Sequence, residues 1–205
     1  PKKFEAFQVT GNNSQDNITA ALLAYDNHLY TAVWGKGIFY TPISKNFLNT
    51  TFKELNIKGI NTKEVTTINQ VEDNYLWITV LNEGYFRYNL KTKEVKQYIV
   101  NTIKNTINNP NYCTTATNGP DNTIWFGSGA GLIVYYPDTD KLYFLTHDPD
   151  KPNSLSNEFV DAIAFENDTT VWVGTLQGGL NKGIINPDKK GDIRNISISF
   201  FPLKD

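Results

Sequence analysis

The stretch that decides the fold is Val171-Trp172-Val173-Gly174-Thr175-Leu176-Gln177-Gly178-Gly179-Leu180. It contains a short β-type run centred on an aromatic residue, followed by glycines where the chain must turn. The same arrangement occurs four times, and the aromatic residues are spaced 47, 48 and 47 positions apart. These residues are Tyr30, Trp77, Trp125 and Trp172. A glycine follows each of them by six or seven positions, at Gly37, Gly84, Gly131 and Gly179.

Two further positions keep the same register upstream of the aromatic residue. The position twelve residues earlier holds Ile18, Val65, Cys113 and Val160. The position nine residues earlier holds Ala21, Ile68, Ala116 and Ile163. Four registers that persist through four copies indicate an internal repeat with a period near 47 residues.

Each repeat is predicted to form four short strands, a to d, and the second copy shows this best. Its strands are predicted at Val65–Val71, Tyr75–Val80, Tyr85–Tyr88 and Glu94–Tyr98. Four strands in a unit of this length are typical of a β-propeller blade. A single small sheet cannot bury both faces, so blades stack against one another, and a tryptophan is well suited to fill the gap between them. Trp77, Trp125 and Trp172 are therefore expected to be buried in equivalent positions.

The sequence thus predicts an all-β protein with four four-stranded blades, at approximately 16–55, 63–100, 111–146 and 158–203. Residues 2–9 are expected to be strand d of a preceding blade. The fourth blade has a strand d of its own, at Ile196–Phe201, and does not need to borrow one. The four blades are therefore interpreted as a segment of a larger ring, most simply a seven-bladed one.

Composition excludes several classes of function for this 205-residue chain. Hydrophobic residues make up 40% and aromatic residues 13%, which is enough for a packed core. The net charge of -2 leaves no basic stripe for a phosphate backbone, so nucleic acid is not an expected partner. The chain has one cysteine, Cys113, which is interpreted as a small core residue because it shares a register with Ile18, Val65 and Val160.

Three motifs that resemble functional sites are better explained as structure. Gly127–Gly131 is rich in glycine but lacks the lysine of a phosphate-binding loop, and a strand rather than a helix follows it. Asn118–Trp125 resembles the Asp-box turn of sialidase propellers, which stabilises a hairpin. His28 and His147 are expected on opposite faces of their blades. We therefore predict no catalytic residue, no metal site and no cofactor.

The fourth copy resembles a known repeat. Its Asn153-Ser154-Leu155-Ser156-Asn157 segment, its Trp172-Val173-Gly174-Thr175 core and its Gly178-Gly179-Leu180 turn resemble the two-component regulator propeller repeat. This resemblance implies a periplasmic sensor region of a hybrid two-component histidine kinase that senses oligosaccharides without catalysis. The implied partners are an oligosaccharide and either a second copy or the remaining blades of a longer chain. The alternatives are a propeller enzyme of the lyase or glycosidase type and a protein-binding scaffold.

Ligand-binding residues are expected in the loops between strands b and c, which share one face of a propeller. The candidates are Trp34, Lys36, Asn82, Glu83, Ser128 and Gln177. Trp34 is the only tryptophan outside the repeat register, and two interpretations of it stay open. It is either a platform on which a sugar ring stacks, or a core side chain that covers the inner end of its own blade.

Overall fold

In the computed structural model, the described residues are 9, 18–44, 50–101 and 109–185, together with the backbone of 197–201. These residues contain sixteen strands, arranged as four antiparallel sheets of four strands each. Strand order within every sheet follows the order in the chain, as in a meander. The prediction of an all-β fold with four four-stranded blades is confirmed. Residues 2–8 of the strand predicted at 2–9 lie outside the described residues.

The strands have the following bounds. Blade 1 consists of β1 (Thr19–Tyr25), β2 (His28–Val33), β3 (Gly37–Pro42) and β4 (Lys53–Glu54). Blade 2 consists of β5 (Val65–Asn69), β6 (Tyr75–Val80), β7 (Gly84–Asn89) and β8 (Val95–Tyr98). Blade 3 consists of β9 (Cys113–Asn118), β10 (Ile124–Ser128), β11 (Gly131–Tyr136) and β12 (Lys141–Leu145). Blade 4 consists of β13 (Val160–Asn167), β14 (Thr170–Thr175), β15 (Gly179–Ile184) and β16 (Ser197–Phe201).

Turn chemistry sets the ends of these strands. Asp26 and Asn27 form the two-residue turn between β1 and β2, and both have a positive φ, at 46° and 54°. Such turns suit the right-handed twist of the paired strands, and Asp and Asn tolerate this backbone region better than most residues. Because neighbouring strands of a blade run in opposite directions, the ab and cd turns lie on one face of each blade. The bc loops and the da connections lie on the opposite face.

The blades stack in sequence order. Strand a of each blade contacts strand a of the next, so that β1 meets β5, β5 meets β9 and β9 meets β13. Among the described strands, no contact of this extent joins β13 back to β1. The outer faces of blades 1 and 4 carry exposed apolar residues, including Leu22, which is 63% exposed, and Leu180, which is 40% exposed. The described blades therefore form an arc with an uncovered face at each end.

The core lies between the blades, in three apolar clusters. In each cluster, the aromatic residue of strand b points at the following blade. Tyr30, Trp77 and Trp125 are buried in this way, each with no more than 6% of its surface exposed. The Trp77 ring contacts Phe126 and Tyr135 of blade 3, with centroid distances of 5.8 Å and 4.4 Å. This confirms that the repeated aromatic residue fills the gap between neighbouring blades.

Trp172 corrects the expectation that all three register tryptophans are buried. Its side chain is only partly buried, because no described blade follows blade 4. The indole N–H donates a hydrogen bond to Glu166 Oε2 at 3.0 Å, and Lys182 Nζ lies 5.2 Å from the ring centroid. One carboxylate and one ammonium group thus lie beside the ring, at the place where Trp77 and Trp125 meet apolar side chains.

Cys113 is a core residue, as its register predicts. It is 1% exposed, and its thiol donates to the carbonyl oxygen of Thr115 at 3.2 Å. Burial raises the pKa of the Cys113 thiol to about 12, so the group stays protonated at neutral pH. A protonated, buried thiol is a poor nucleophile.

Candidate ligand-binding face

The face formed by the bc loops and the da connections is built by a hydrogen bond that recurs in all four blades. In each blade, the residue after strand b donates its backbone N–H to the carbonyl oxygen of the residue just before strand a. The pairs are Trp34 with Ile18, Leu81 with Glu64, Gly129 with Tyr112, and Leu176 with Phe159, at 2.8 to 2.9 Å. Trp34 therefore occupies the position that Leu81, Gly129 and Leu176 hold in the other blades.

Trp34 lies on the surface of this face. It is 39% exposed and does not belong to any of the three apolar clusters of the described residues. The indole therefore does not act as a core side chain of its blade. The exposed indole is compatible with a platform, and the stacking of a sugar ring on it stays a prediction.

Four of the polar candidates also reach solvent. Lys36, Asn82 and Gln177 are exposed, and Glu83 is partly exposed. Asn82 and Gln177 have positive φ values of 60° and 65°, which identifies them as turn residues of their bc loops. Their side chains nevertheless lie on the same face as Trp34, where they can bond to a ligand.

Ser128 differs from the other candidates because it is fully buried. Its Oγ donates to the carbonyl oxygen of Gly131 at 2.8 Å and accepts from the backbone N–H of Ala130 at 3.3 Å. The hydroxyl closes its own turn, as Ser and Thr side chains often do. Ser128 therefore cannot present a hydroxyl to a ligand in this arrangement.

Sequence reasoning missed an aromatic pair on the same face. Tyr112 and Phe159 precede strand a of blades 3 and 4, and their rings meet edge to face with centroids 6.0 Å apart. Tyr112 is 37% exposed and lies beside Gly129, the small residue at the Trp34 position of blade 3. Aligning the residue before strand a in the four copies would have revealed this pair.

A hydrogen bond also links the loops of neighbouring blades. Asn109 Nδ2 donates to Asn82 Oδ1 at 2.7 Å, which joins the bc loop of blade 2 to the segment that leads into blade 3. This contact couples the position of one candidate residue to the junction between two blades.

The described residues contain neither a group of metal ligands nor a membrane-spanning helix. Within residues 18–44, 50–101 and 109–185, no three His, Cys, Asp or Glu side chains are grouped so that they could hold a metal ion. The part of the chain that the structure describes contains no helix with the length and hydropathy needed to span a bilayer.

The chain resembles known proteins both in sequence and in structure. No protein-family profile matches the chain. A curated histidine kinase, P4 of Formosa agariphila, is 34% identical over 139 residues, which make up 66% of this chain and 10% of the kinase. The chain thus spans about a tenth of that relative's length.

Two solved structures show the same fold. One is the extracellular domain of a protein described as a hybrid two-component system of B. thetaiotaomicron, with a TM-score of 0.68 at 20% identity over 98% of this chain and 24% of that one. The other is the β-propeller domain of Cps50 (Swd1) from Myceliophteria thermophila, with a TM-score of 0.58 at 9% identity over 89% of this chain and 57% of that one. The resemblance to two-component regulator propellers is thus confirmed, and the chain is a β-propeller segment similar to a histidine kinase and to the extracellular domain of a hybrid two-component system.

Proposed function

We propose that this chain is a non-catalytic part of a sensor propeller in the periplasm, and that the face of its bc loops binds an oligosaccharide. The observation that carries the proposal is the exposed indole of Trp34 on this face. Sugar rings stack their C–H faces on flat aromatic side chains, while polar neighbours bind their hydroxyl groups. Lys36, Asn82, Glu83 and Gln177 supply such polar groups.

The Tyr112–Phe159 pair supports an extended site. It lies on the same face but on blades 3 and 4, whereas Trp34 lies on blade 1. Two aromatic surfaces on different blades suit an oligosaccharide better than a single sugar, because each surface can stack one ring. A ligand that contacts several blades would favour one packing of the blades over another, which is what a sensor requires.

A propeller enzyme of the lyase or glycosidase type would need titratable groups that converge in one pocket. The bc-loop candidates are a turn asparagine, a turn glutamine, one lysine and one glutamate, spread over three blades. This composition favours binding over hydrolysis.

Replacing Trp34 with alanine tests the proposal. A glycan array first identifies the oligosaccharide that binds most tightly, and calorimetry then measures its affinity. We expect W34A to weaken binding by about tenfold or more, which corresponds to about 1.4 kcal/mol. The melting temperature should stay close to that of the native chain, because the exposed ring contributes little to the core.

Leu176→Ala is the matched control, because Leu176 holds the same loop position in blade 4 and is 49% exposed. This change should leave the affinity within about twofold. An array without any bound glycan would contradict the proposed function. A W34A variant with native affinity and a clearly lower melting temperature would reassign Trp34 to the core.

We also propose that further blades of a longer protein, most simply completing a seven-bladed ring, cover the two end faces of the arc, with a second copy as the alternative cover. Trp172, Leu180 and Ile184 project from the same face of blade 4, away from blade 3. Leu22 projects from blade 1, away from blade 2, since its neighbours Ala21 and Leu23 pack toward blade 2. Exposed apolar faces at both ends of a repeat array favour association with another such face.

The isolated chain is therefore expected to self-associate through these ends. Sedimentation velocity should show dimers or larger species whose proportion rises with concentration. The double variant L22E/L180E should shift the chain toward monomer, because each charge would have to be buried in the contact. A chain that stays monomeric at high concentration would contradict the proposal, and K141Q, which changes an exposed lysine of blade 3, controls for general surface effects.

A further inference from the structure

A cleft of about 280 Å³ opens between blades 1 and 2, on the face opposite the bc loops. Its walls include Tyr25, His28, Tyr30 and Tyr40 of blade 1, and its rim includes Lys91 and Lys93 in the cd turn of blade 2. The ab and cd turns form this face, so the cleft is separate from Trp34 and the other bc-loop candidates. Its volume suits a ligand of the size of a single ring.

Aromatic side chains form the wall of the cleft on the blade 1 side. The rings of Tyr30 and Tyr40 stack with centroids 5.9 Å apart and planes inclined by 23°. The His28 ring lies 5.9 Å from Tyr40 and 6.2 Å from Tyr30. This wall offers apolar ring faces together with the hydroxyl and imidazole groups at their edges.

Several hydrogen-bonding groups in the cleft are already oriented. His28 Nδ1 bonds to the carbonyl oxygen of Asp26 at 2.7 Å, which fixes the ring and leaves Nε2 for another partner. The Tyr25 hydroxyl accepts from the backbone N–H of Asn74 at 2.8 Å, so its own proton remains available. Burial, with Asp26 nearby, raises the pKa of Tyr30, which keeps this hydroxyl a donor at neutral pH.

The rim of the cleft is basic. Lys91 and Lys93 are both exposed, in the turn that follows β7. Lys93 has a φ of 66°, and its Nζ donates to the carbonyl oxygen of Leu90 at 2.5 Å, which holds the ammonium group near the turn. Asp26 is the one carboxylate among the lining residues, so the described lining carries a net positive charge.

At the next junction, between blades 2 and 3, an arginine stands at the position that corresponds to Tyr40. Arg87 lies directly across from Trp77 in blade 2, as Tyr40 lies across from Tyr30 in blade 1. Its guanidinium sits 3.8 Å from the centroid of the Tyr75 ring and forms an ion pair with Glu72.

The charge of the rim is reversed between the two junctions. The residues 47 positions after Lys91 and Lys93 are Asp138 and Asp140, in the cd turn of blade 3. In the second junction, Asp140 of this acidic turn forms an ion pair with Lys96 of blade 2. In the first junction, a basic turn faces an aromatic wall and open volume.

We propose that the cleft between blades 1 and 2 binds a sugar ring that carries a carboxylate, that is, a uronic acid unit. The ring stacks on the tyrosine wall, and the carboxylate pairs with Lys91 and Lys93. Hydroxyl groups of the sugar bond to the Tyr25 and His28 side chains. Charge-assisted hydrogen bonds of this kind are the stronger ones in proteins, and a small ring with one negative charge complements both the shape and the charge of the cleft.

This site does not depend on the platform at Trp34. The two lie on opposite faces of the blades, so W34A should leave uronic acid binding at the cleft unchanged. Loss of oligosaccharide binding in W34A and loss of uronic acid binding in a lysine variant are therefore separate results.

The experiment titrates the complete chain with glucuronic acid, glucose and benzoate, and follows the Tyr and His resonances by NMR. Glucuronic acid should bind at least about tenfold more tightly than glucose, and the double variant K91Q/K93N should lose about tenfold in affinity for it. Asparagine at position 93 suits the positive φ of that residue. K141Q removes an exposed lysine elsewhere and should keep the native affinity.

A second measurement needs no variant. Raising the salt concentration should weaken the binding of glucuronic acid but not that of glucose, because salt screens only the charged contact. Equal affinities for the two sugars, or binding that ignores both salt and the lysine changes, would overturn the proposal. Binding of benzoate without binding of glucuronic acid would overturn the assignment to a sugar.

Discussion

Replacing Trp77 with alanine is expected to lower the free energy of unfolding by about 3–5 kcal/mol. The side chain is fully buried between blades 2 and 3, and its ring contacts Tyr98, Phe126 and Tyr135. Removing it leaves a cavity between the two sheets. Urea denaturation followed by circular dichroism measures the change.

Trp172→Ala is the matched control, since Trp172 holds the same repeat position at the end of the arc. Its ring is partly exposed and interacts with Glu166 and Lys182. We expect this change to cost about 1 kcal/mol, because solvent-exposed contacts of this kind contribute little. Equal losses for the two variants would contradict the view that each register aromatic is stabilised by the blade that follows it.

Replacing Gly131 with alanine is expected to destabilise the chain by about 3 kcal/mol or more. Gly131 starts strand β11 with a φ of 150°, and a Cβ atom there would overlap the carbonyl oxygen of Leu145 on β12. Because the obstacle is backbone of the paired strand, the clash cannot be relieved without moving the strand. The melting temperature and the urea midpoint should both fall.

Gly179→Ala is the control at the same repeat position in blade 4. Gly179 has a φ of 75°, and no atom lies within 4 Å of the place where its Cβ would be. The alanine therefore meets only backbone strain, which costs about 1–2 kcal/mol. If G131A were no less stable than G179A, the close approach of strand d would not be the reason for glycine at position 131.

Most of the strand pattern could be predicted from the sequence, because each blade repeats the same alternation of β-type runs and turn residues. Strand b of blade 2 was predicted at Tyr75–Val80 and is found there, and β16 covers most of the predicted Ile196–Phe201. Strand a of the same blade is shorter than predicted, since β5 ends at Asn69. The side chain of Asn69 accepts the N–H of Gln70 and ends the pairing.

The candidate site was harder to predict, because exposure depends on neighbours that periodicity does not reveal. Trp172 fits the buried pattern of the repeat, but its burial depends on a blade that follows it. Serine is a common residue type in loops, yet the Ser128 hydroxyl is hydrogen-bonded within its own turn. The cleft between blades 1 and 2 depends on side chains from two repeats, and only their arrangement in space shows that an aromatic wall faces a basic turn.

The three junctions between blades differ in the side chains that fill them. The junction of blades 2 and 3 packs the aromatic rings of Trp77, Tyr85, Phe126 and Tyr135 together. In the junction of blades 3 and 4, Trp125 packs against aliphatic side chains such as Leu132 and Val173 and meets Phe165 edge to face. Tandem repeats that are alike can exchange partners between molecules while they fold, and such exchange leads to aggregation. Because these junction surfaces differ in shape, we expect an internal blade to pack better against its own neighbour than against another blade, which would limit the exchange of blades between nascent chains.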